Sequence, residues 1–223
     1  MTQISVVLPA GATPVTAAWS VPAAPAAAVA LAHGAGAGMD HPFLTGFAAA
    51  LHETGIATLR FNFPYVEAGR RMPGPAAHAT ATWAAVLAEV GRELPGVPVV
   101  AAGKSYGGRM ASMAASEKRI DPSALVYLGY PLHPPGDPQK LRAAHLPEIA
   151  APQLFVEGTK DPFIQPLGQF DEVIATCQDA QVLWIDGGGH SFEIAGSKRP
   201  AAEVGAALAG PVAAWLRSRL TVA

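Results

Sequence analysis

The fold is decided by one stretch of the sequence, Val99–Gly108, which reads VVAAGKSYGG. Its first half is a short run of small and branched apolar residues, and such a run bounded by glycine is typical of a buried strand. Its second half contains the pattern G-x-S-x-G with Ser105 at the centre, and a helix-like segment follows to about Ser116. The stretch therefore predicts a strand, a tight turn that exposes the serine hydroxyl, and a helix.

The predicted helix would stabilise negative charge at this turn. Its free N–H groups and the positive end of its dipole face the serine, and both stabilise negative charge. In a chain with 23 glycines the pattern G-x-S-x-G is also compatible with an ordinary loop. The strand before it and the helix after it favour a nucleophile elbow, so we interpret Ser105 as the nucleophile of a serine hydrolase or of a descendant of one.

Length and composition fit this interpretation. A chain of 223 residues suits a single α/β domain spanning residues 1–223. The net charge of -2 gives no indication of binding to nucleic acid or to a membrane surface. The single cysteine allows no intrachain disulfide, and no signal-peptide pattern is visible, so we expect a cytoplasmic protein.

Strand-like and helix-like runs alternate along the chain. The predicted strands are Ile4–Leu8, Val15–Ser20, Ala28–Ala32, Ile56–Phe63, Val97–Gly103, Ala124–Gly129, Gln153–Glu157 and Gln181–Asp186. Besides the helix after Ser105, the predicted helices are Pro42–Thr54, His78–Leu94, Pro166–Thr176 and Pro200–Leu220. The alternation predicts a three-layer α/β fold with a mostly parallel sheet of about eight strands, the first two antiparallel. One helix, two strands and a loop take up the segment between Ser105 and Asp161, so we expect an open site without a cap domain.

A serine hydroxyl needs a base to take its proton, and the base needs a third group to orient it. In this architecture the order along the chain is serine, acid, histidine. Asp161 and His190 follow the last two predicted strands in that order, and a run of three glycines precedes the histidine. We therefore expect Asp161 and His190 to complete a catalytic triad with Ser105. Glu157 and Asp186 are rival acids that lie nearer to the strands themselves.

The loop from His33 to His41 reads HGAGAGMDH and follows the third predicted strand. A tetrahedral oxyanion needs two N–H donors. We expect one from Tyr106, the residue after the nucleophile, and the other from Ala35 or Gly36. A phosphate-binding loop is the alternative, but the spacing is not G-x-G-x-x-G and no acidic residue follows at the required distance. His33 and His41 are interpreted as bracing residues.

Apolar residues that follow the strand ends are candidates for a pocket that takes an apolar acyl or alcohol group, with ordinary core packing as the alternative. They are Met39, Phe43, Phe63, Tyr65, Leu132, Phe163 and Phe192. Arg70 and Arg71 lie in a Gly/Pro-rich loop and are candidates for pairing with a carboxylate or phosphate of the substrate, with solvated arginines as the alternative. For Lys104 two roles stay open: lining the pocket, or pairing with a neighbouring loop. No metal-binding motif is present, so no metal or other cofactor is expected.

With these residues placed, the chain resembles the α/β-hydrolase superfamily over nearly its whole length. The segments that carry the resemblance are HGAG at 33–36, RFNFPY at 60–65, GKSYGG at 103–108, LGYPLH at 128–133 and GGGH at 187–190. More narrowly, it is similar to small, uncapped hydrolases related to dienelactone hydrolase, a branch similar in pattern to a hydrolase-like subunit of a histone-acetyltransferase complex. Dienelactone hydrolases use cysteine at the elbow, so Ser105 makes a serine carboxylesterase the activity that the resemblance implies.

The sequence thus predicts hydrolysis of a small-molecule carboxylic ester by Ser105, His190 and Asp161. An acyltransferase or a peptidase that uses the same three residues is an alternative. A non-catalytic interaction module that keeps the fold is another. The sequence indicates neither an oligomeric state nor a protein partner.

Overall fold

The apolar runs of the sequence form the strands of an eight-stranded sheet. The structure, a computed structural model, describes residues 1–220. The strands are β1 (Thr2–Leu8), β2 (Gly11–Ser20), β3 (Ala27–Ala32), β4 (Ile56–Phe61), β5 (Val99–Lys104), β6 (Ala124–Leu128), β7 (Gln153–Gly158) and β8 (Ala180–Ile185). The helices are α1 (Pro42–Glu53), α2 (Pro64–Glu67), α3 (Ala76–Glu93), α4 (Tyr106–Ser116), α5 (Leu167–Ile174) and α6 (Ala201–Arg219), and a 3₁₀ turn covers Leu146–Glu148.

The strand order is β1-β2-β4-β3-β5-β6-β7-β8. β1 pairs antiparallel with β2, and β2 pairs antiparallel with β4, whereas every pairing from β4 to β8 is parallel. Every residue of β3, β6 and β7 is buried, because helices cover both faces of these strands. The predicted three-layer α/β fold is therefore confirmed, and the part of the chain that the structure describes contains no cap domain.

Two apolar cores lie on opposite faces of the sheet. One packs α3 and α4 against it through side chains such as Trp83 and Met110. The other packs α1 and α6 against it through side chains such as Phe47 and Leu208. Among residues 1–220, no helix is both long enough and apolar enough to cross a bilayer.

The structure corrects the sequence prediction after the fourth strand. The strand was expected to continue to Phe63, but β4 ends at Phe61 and a single helical turn, α2, begins at Pro64. Proline at the first helical position has the right φ and no N–H to leave unpaired, so the turn forms there. One turn is too short to show helical periodicity in the sequence, and the same holds for the 3₁₀ turn.

Candidate active site

The turn at Ser105 joins β5 to α4 as predicted. Ser105 has φ 48° and ψ −112°, and non-glycine residues rarely adopt a positive φ. A Cβ at Gly103 would overlap the backbone of Gly108, and a Cβ at Gly107 would lie 2.6 Å from the carbonyl oxygen of His33. Close approach of the strand, the helix and the neighbouring loop therefore requires both glycines of the motif.

Neighbouring elements fix this turn from two sides. The indole N–H of Trp83 on α3 donates to the carbonyl oxygen of Gly107 at 3.2 Å. The backbone N–H of Ser105 donates to the carbonyl oxygen of Leu128, at the end of β6, at 3.0 Å. The serine is thus anchored both to the helix layer and to the sheet.

His190 links Ser105 to Asp161. Its Nε2 lies 2.8 Å from Ser105 Oγ, and its Nδ1 lies 2.6 Å from Asp161 Oδ2. Asp161 is fully buried, whereas 21% of the His190 side chain is exposed. The backbone N–H of Phe163 donates to Asp161 Oδ1 at 2.8 Å, and the Phe163 ring packs on the imidazole with 4.1 Å between ring centres. The structure therefore brings together the three side chains that the chain order indicated.

The surroundings of His190 favour a neutral imidazole. Burial lowers the pKa of the ring, the hydrogen bond with Asp161 raises it, and the charge of Lys104 lowers it, with a net lowering. In the neutral ring the Nδ1–H donates to the carboxylate, which leaves Nε2 free to accept from the Ser105 hydroxyl. This arrangement is chemically able to remove the serine proton.

The two rival acids are engaged elsewhere. Glu157, on β7, is fully buried, and its Oε1 accepts from the backbone N–H of Tyr130 at 2.6 Å. Asp186 is exposed, and its Oδ1 accepts from the hydroxyl of Thr159 at 3.2 Å. The hydrogen bonds of both carboxyls thus lead away from His190.

Glu157 is expected to make the stability of the fold depend on pH. Burial raises the pKa of its carboxyl well above the ordinary value, and the hydrogen bond from Tyr130 offsets this only in part. Within residues 1–220 its Oε2 has no hydrogen-bond partner. The unfolded chain releases this proton near pH 4.3, about the ordinary value for a glutamate. The stabilising contribution of the retained proton is therefore fully present below that pH and is lost as the pH rises toward the folded-state pKa.

We predict that Glu157→Gln, which does not ionise, gains stability relative to wild type as the pH is raised from about 5 to about 8. The difference in unfolding free energy should change by up to about 1.4 kcal/mol per pH unit while folded Glu157 keeps its proton. Urea denaturation at several pH values measures this difference. Glu172→Gln, at an exposed glutamate, is the matched control. Parallel pH profiles for Glu157→Gln and wild type would contradict the prediction.

The loop after β3 is held against the turn by His33. This residue is fully buried; its Nδ1–H donates to the carbonyl oxygen of Gly34 at 2.8 Å, and its Nε2 accepts from the backbone N–H of Phe63 at 3.2 Å. Burial lowers the pKa of His33 to about 4, so the ring is neutral. His41 Nδ1 accepts from the backbone N–H of Phe43 at 3.3 Å and caps α1. Both histidines are bracing residues, as predicted.

The expected oxyanion donors lie on the two sides of Ser105. Tyr106 is the first residue of α4, so its backbone N–H has no partner within the helix. In the loop after β3, Gly34 lies against the serine: a Cβ on Gly34 would stand 3.7 Å from Ser105 Cβ. Ala35 lines the adjacent cavity, and Gly36 forms the bend after it with a φ of 75°. Backbone from both predicted sources is therefore close to the serine.

A cavity of about 470 Å³ opens at Ser105. Its other lining residues come from the end of β5, from the loops after β3, β7 and β8, and from the first turns of α1 and α6. They are Gly34, Ala35, Ala37, His41, Phe43, Leu44, Lys104, Phe163, His190, Ser191, Glu193, Arg199, Ala201 and Val204. Two of the predicted pocket residues, Phe43 and Phe163, are among them.

The other five predicted apolar residues lie outside this wall. They are Met39, Phe63, Tyr65, Leu132 and Phe192, and all are buried. The Phe63 ring packs edge-on against His33. The Phe192 ring stacks on Phe43 at 5.8 Å, and Leu132 joins the core on the α4 side. These five side chains therefore pack in the interior instead of lining the cavity.

Arg70 and Arg71 are exposed and do not contribute to the wall of the cavity. Arg70 lines a much smaller neighbouring pocket with Tyr65 and Tyr106. The carbonyl oxygen of Arg71 lies 4.0 Å from the position that a Cβ on Gly36 would take. Their loop therefore borders the loop after β3, and recognition of an anionic substrate group by either arginine stays a prediction.

The start of α6 supplies part of the wall that the sequence did not indicate. Arg199, Ala201 and Val204 lie at this helix end, and Ser191 and Glu193 follow the predicted base. The helix reaches the site because it packs along α1. No local motif marks that pairing. The signals in the sequence are an apolar face on each helix and the glycines Gly46 and Gly205, where a Cβ would overlap the backbone of the other helix.

Comparisons with known proteins agree with this geometry. A family model described as an alpha/beta hydrolase domain matches residues 25–210. A dienelactone hydrolase from Anabaena variabilis has a TM-score of 0.76 at 21% identity, over 99% of this chain and 98% of that one. A serine hydrolase without a lid from Xanthomonas campestris has a TM-score of 0.71 at 22% identity, over 97% of this chain and 95% of that one. Est1E from Butyrivibrio proteoclasticus has a TM-score of 0.70 at 17% identity, over 97% and 98% of the two chains.

The matched family model covers most of the chain, from β3 to the middle of α6. The solved structures share the whole architecture, including the absence of a lid in the Xanthomonas protein. The resemblance to α/β hydrolases expected from the sequence is thereby confirmed, and this chain belongs to the α/β-hydrolase family.

Proposed function

We propose that the protein is a serine hydrolase that acts on carboxylic esters. Hydrolase activity is what membership of this family supports. The observation that carries the serine mechanism is the unbroken chain of hydrogen bonds from Ser105 Oγ through the His190 ring to Asp161, with lengths of 2.8 Å and 2.6 Å. A nucleophile, a base within reach of its proton, and a buried acid that orients the base are the parts that acyl transfer needs.

In the first half of the proposed reaction, Ser105 Oγ attacks the ester carbonyl carbon while His190 Nε2 takes the hydroxyl proton. Asp161 stabilises the imidazolium that forms. The tetrahedral intermediate then expels the alcohol, which receives the proton from His190, and the acyl group stays on Ser105. Water attacks this acyl-enzyme with His190 again as base. The bond from the acyl carbon to Ser105 Oγ then breaks, His190 returns the proton to Oγ, and the carboxylic acid leaves.

The developing oxyanion is proposed to accept from the backbone N–H groups of Tyr106 and Ala35, with Gly36 as the alternative to Ala35. These donors are fixed before the substrate arrives, because α4 and the His33-braced loop hold them. Preorganised donors of this kind contribute about 10²–10³-fold each to kcat.

The cavity favours a small-molecule ester with an apolar group of modest size. Phe43, Leu44, Ala201 and Val204 form an apolar part of its wall. Its volume of about 470 Å³ lies within the range of sites that bind small molecules. Each catalytic group in these steps is supplied by the chain, so water is the only co-substrate that the proposed reaction needs.

We expect a fluorophosphonate probe to label the wild-type protein once per chain at neutral pH, because the probe traps an activated serine. Peptide mapping by mass spectrometry should place the adduct on Ser105.

A series of p-nitrophenyl esters of increasing acyl length should show the highest kcat/KM for short and medium acyl chains, because the cavity cannot enclose a long acyl chain.

Two other results would redirect this proposal. Absence of both labelling and hydrolysis at neutral pH would contradict it and favour an interaction module. Acyl transfer to an added alcohol or amine in preference to water would indicate an acyltransferase.

A further inference from the structure

Lys104, the residue before the proposed nucleophile, connects the two halves of the candidate site. Its Nζ donates to the backbone carbonyl oxygen of His190 at 2.7 Å. The bond joins the end of β5 to a loop that lies 86 residues further along the chain. The backbone of the proposed base is thereby tied to the residue next to Ser105.

The surroundings of Lys104 fit its ammonium group closely. Nζ lies 5.5 Å from the centre of the Phe192 ring, within the range of a cation–π contact. On another side, a Cβ at Gly129 would stand 3.1 Å from Nζ and 2.9 Å from the His190 carbonyl oxygen. A larger residue at position 129 would therefore crowd both partners of the hydrogen bond.

Two carboxylates act on this ammonium, Asp161 and Glu193, and the buried Glu157 adds its charge to theirs only once it has lost its proton. Glu157 belongs to β7, and the other two belong to the loops after β7 and β8. Burial lowers the pKa of Lys104 to about 8 although these carboxyls raise it, so at neutral pH the group is mainly charged. The same charge opposes protonation of the His190 ring.

We propose that Lys104 is a positioning residue, which fastens the His190 loop to the turn that carries Ser105. The inference rests on the function proposed above. The hydrogen bond fixes the backbone of His190, and this keeps the ring at its 2.8 Å separation from Ser105 Oγ. The ammonium has a second effect, because a positive charge beside the imidazole favours the neutral ring that accepts the serine proton.

Lys104→Met tests this role, because it keeps the apolar stem and removes the donor and the charge. We expect kcat for a p-nitrophenyl ester to fall by about 10- to 100-fold, the loss that a misplaced catalytic group causes, with KM little changed. The acid limb of the kcat/KM profile should move to higher pH, because loss of the positive charge raises the pKa of His190. Lys140→Met, at an exposed lysine that pairs with Asp137, is the matched control. It should change neither kcat nor the acid limb of the kcat/KM profile.

A readout without turnover separates this inference from the proposed function. The His190 ring is titrated by NMR, with its signal assigned through His190→Gln, and should titrate at higher pH in Lys104→Met than in wild type. Unchanged kcat together with an unchanged titration would overturn the role of Lys104. If wild type neither hydrolyses esters nor labels, the proposed function fails while the titration still decides on Lys104. If circular dichroism shows that Lys104→Met does not fold, Lys104→Gln, which also lacks the charge, replaces it in the NMR titration. A His190 titration at higher pH than in wild type again supports the role of Lys104, and an unchanged kcat and titration overturn it.

Discussion

Replacing Ser105 with alanine is expected to lower kcat for ester hydrolysis by about 10⁶-fold and to abolish fluorophosphonate labelling. Without Oγ no acyl-enzyme forms, and His190 has no hydroxyl to deprotonate. The cavity and the oxyanion donors remain, and such groups alone support about 10³–10⁴-fold catalysis over water. Alanine keeps the Cβ at a φ of 48°, so the strain of the turn is the same in the variant and the fold should be retained.

Ser116→Ala is the matched control, because Ser116 lies at the other end of the same helix and donates to the Met113 carbonyl oxygen. It should hydrolyse esters at the wild-type rate. Hydrolysis or labelling of Ser105→Ala at wild-type levels would show that another residue is the nucleophile.

The turn at Ser105 follows from local sequence. A strand, G-x-S-x-G and a helix leave few conformations for Ser105, because Gly103 lets α4 approach β5 and Gly107 lets α4 approach the end of β3. Chain order then placed Asp161 and His190 at the ends of parallel strands, and parallel strands end at one edge of a sheet. The three side chains lie together in the structure for this reason.

The cavity wall was predicted less well, for a physical reason. The direction of a side chain beyond a strand end depends on the path of the loop or helix that carries it, and distance along the sequence from the strand end does not determine that path. Phe43 and Phe163 face the cavity, whereas Phe63 and Phe192 face inward. The contribution of α6 depends on packing between helices far apart in sequence, and no spacing within one segment encodes it.

Lys104 shows what a motif leaves open. In G-x-S-x-G the second position is unspecified, so the motif does not distinguish a residue that lines the pocket from one that pairs with a neighbouring loop. The hydrogen bond to His190 depends on where the loop after β8 lies, and on the space that Gly129 leaves. Both are tertiary features, so only the fold reveals the hydrogen bond on which the proposed role rests.

Replacing Asp161 with asparagine is expected to lower kcat by about 10⁴-fold while KM changes little. In wild type the backbone N–H of Phe163 donates to Oδ1, and His190 Nδ1–H donates to Oδ2. In the variant the Phe163 N–H keeps the amide oxygen at the Oδ1 position, so the amide NH₂ faces His190. Nδ1 must then accept, the ring proton moves to Nε2, and Nε2 no longer accepts from Ser105.

Asp186→Asn is the control for this substitution, because Asp186 is the exposed rival acid and its hydrogen bond goes to Thr159. It should retain the wild-type kcat. A large loss in Asp186→Asn with little loss in Asp161→Asn would mean that the loops rearrange in solution and that the acid was assigned wrongly. The effect of Asp161→Asn should persist across the pH range in which the variant is folded, because an amide does not titrate and no pH restores the tautomer with Nε2 free.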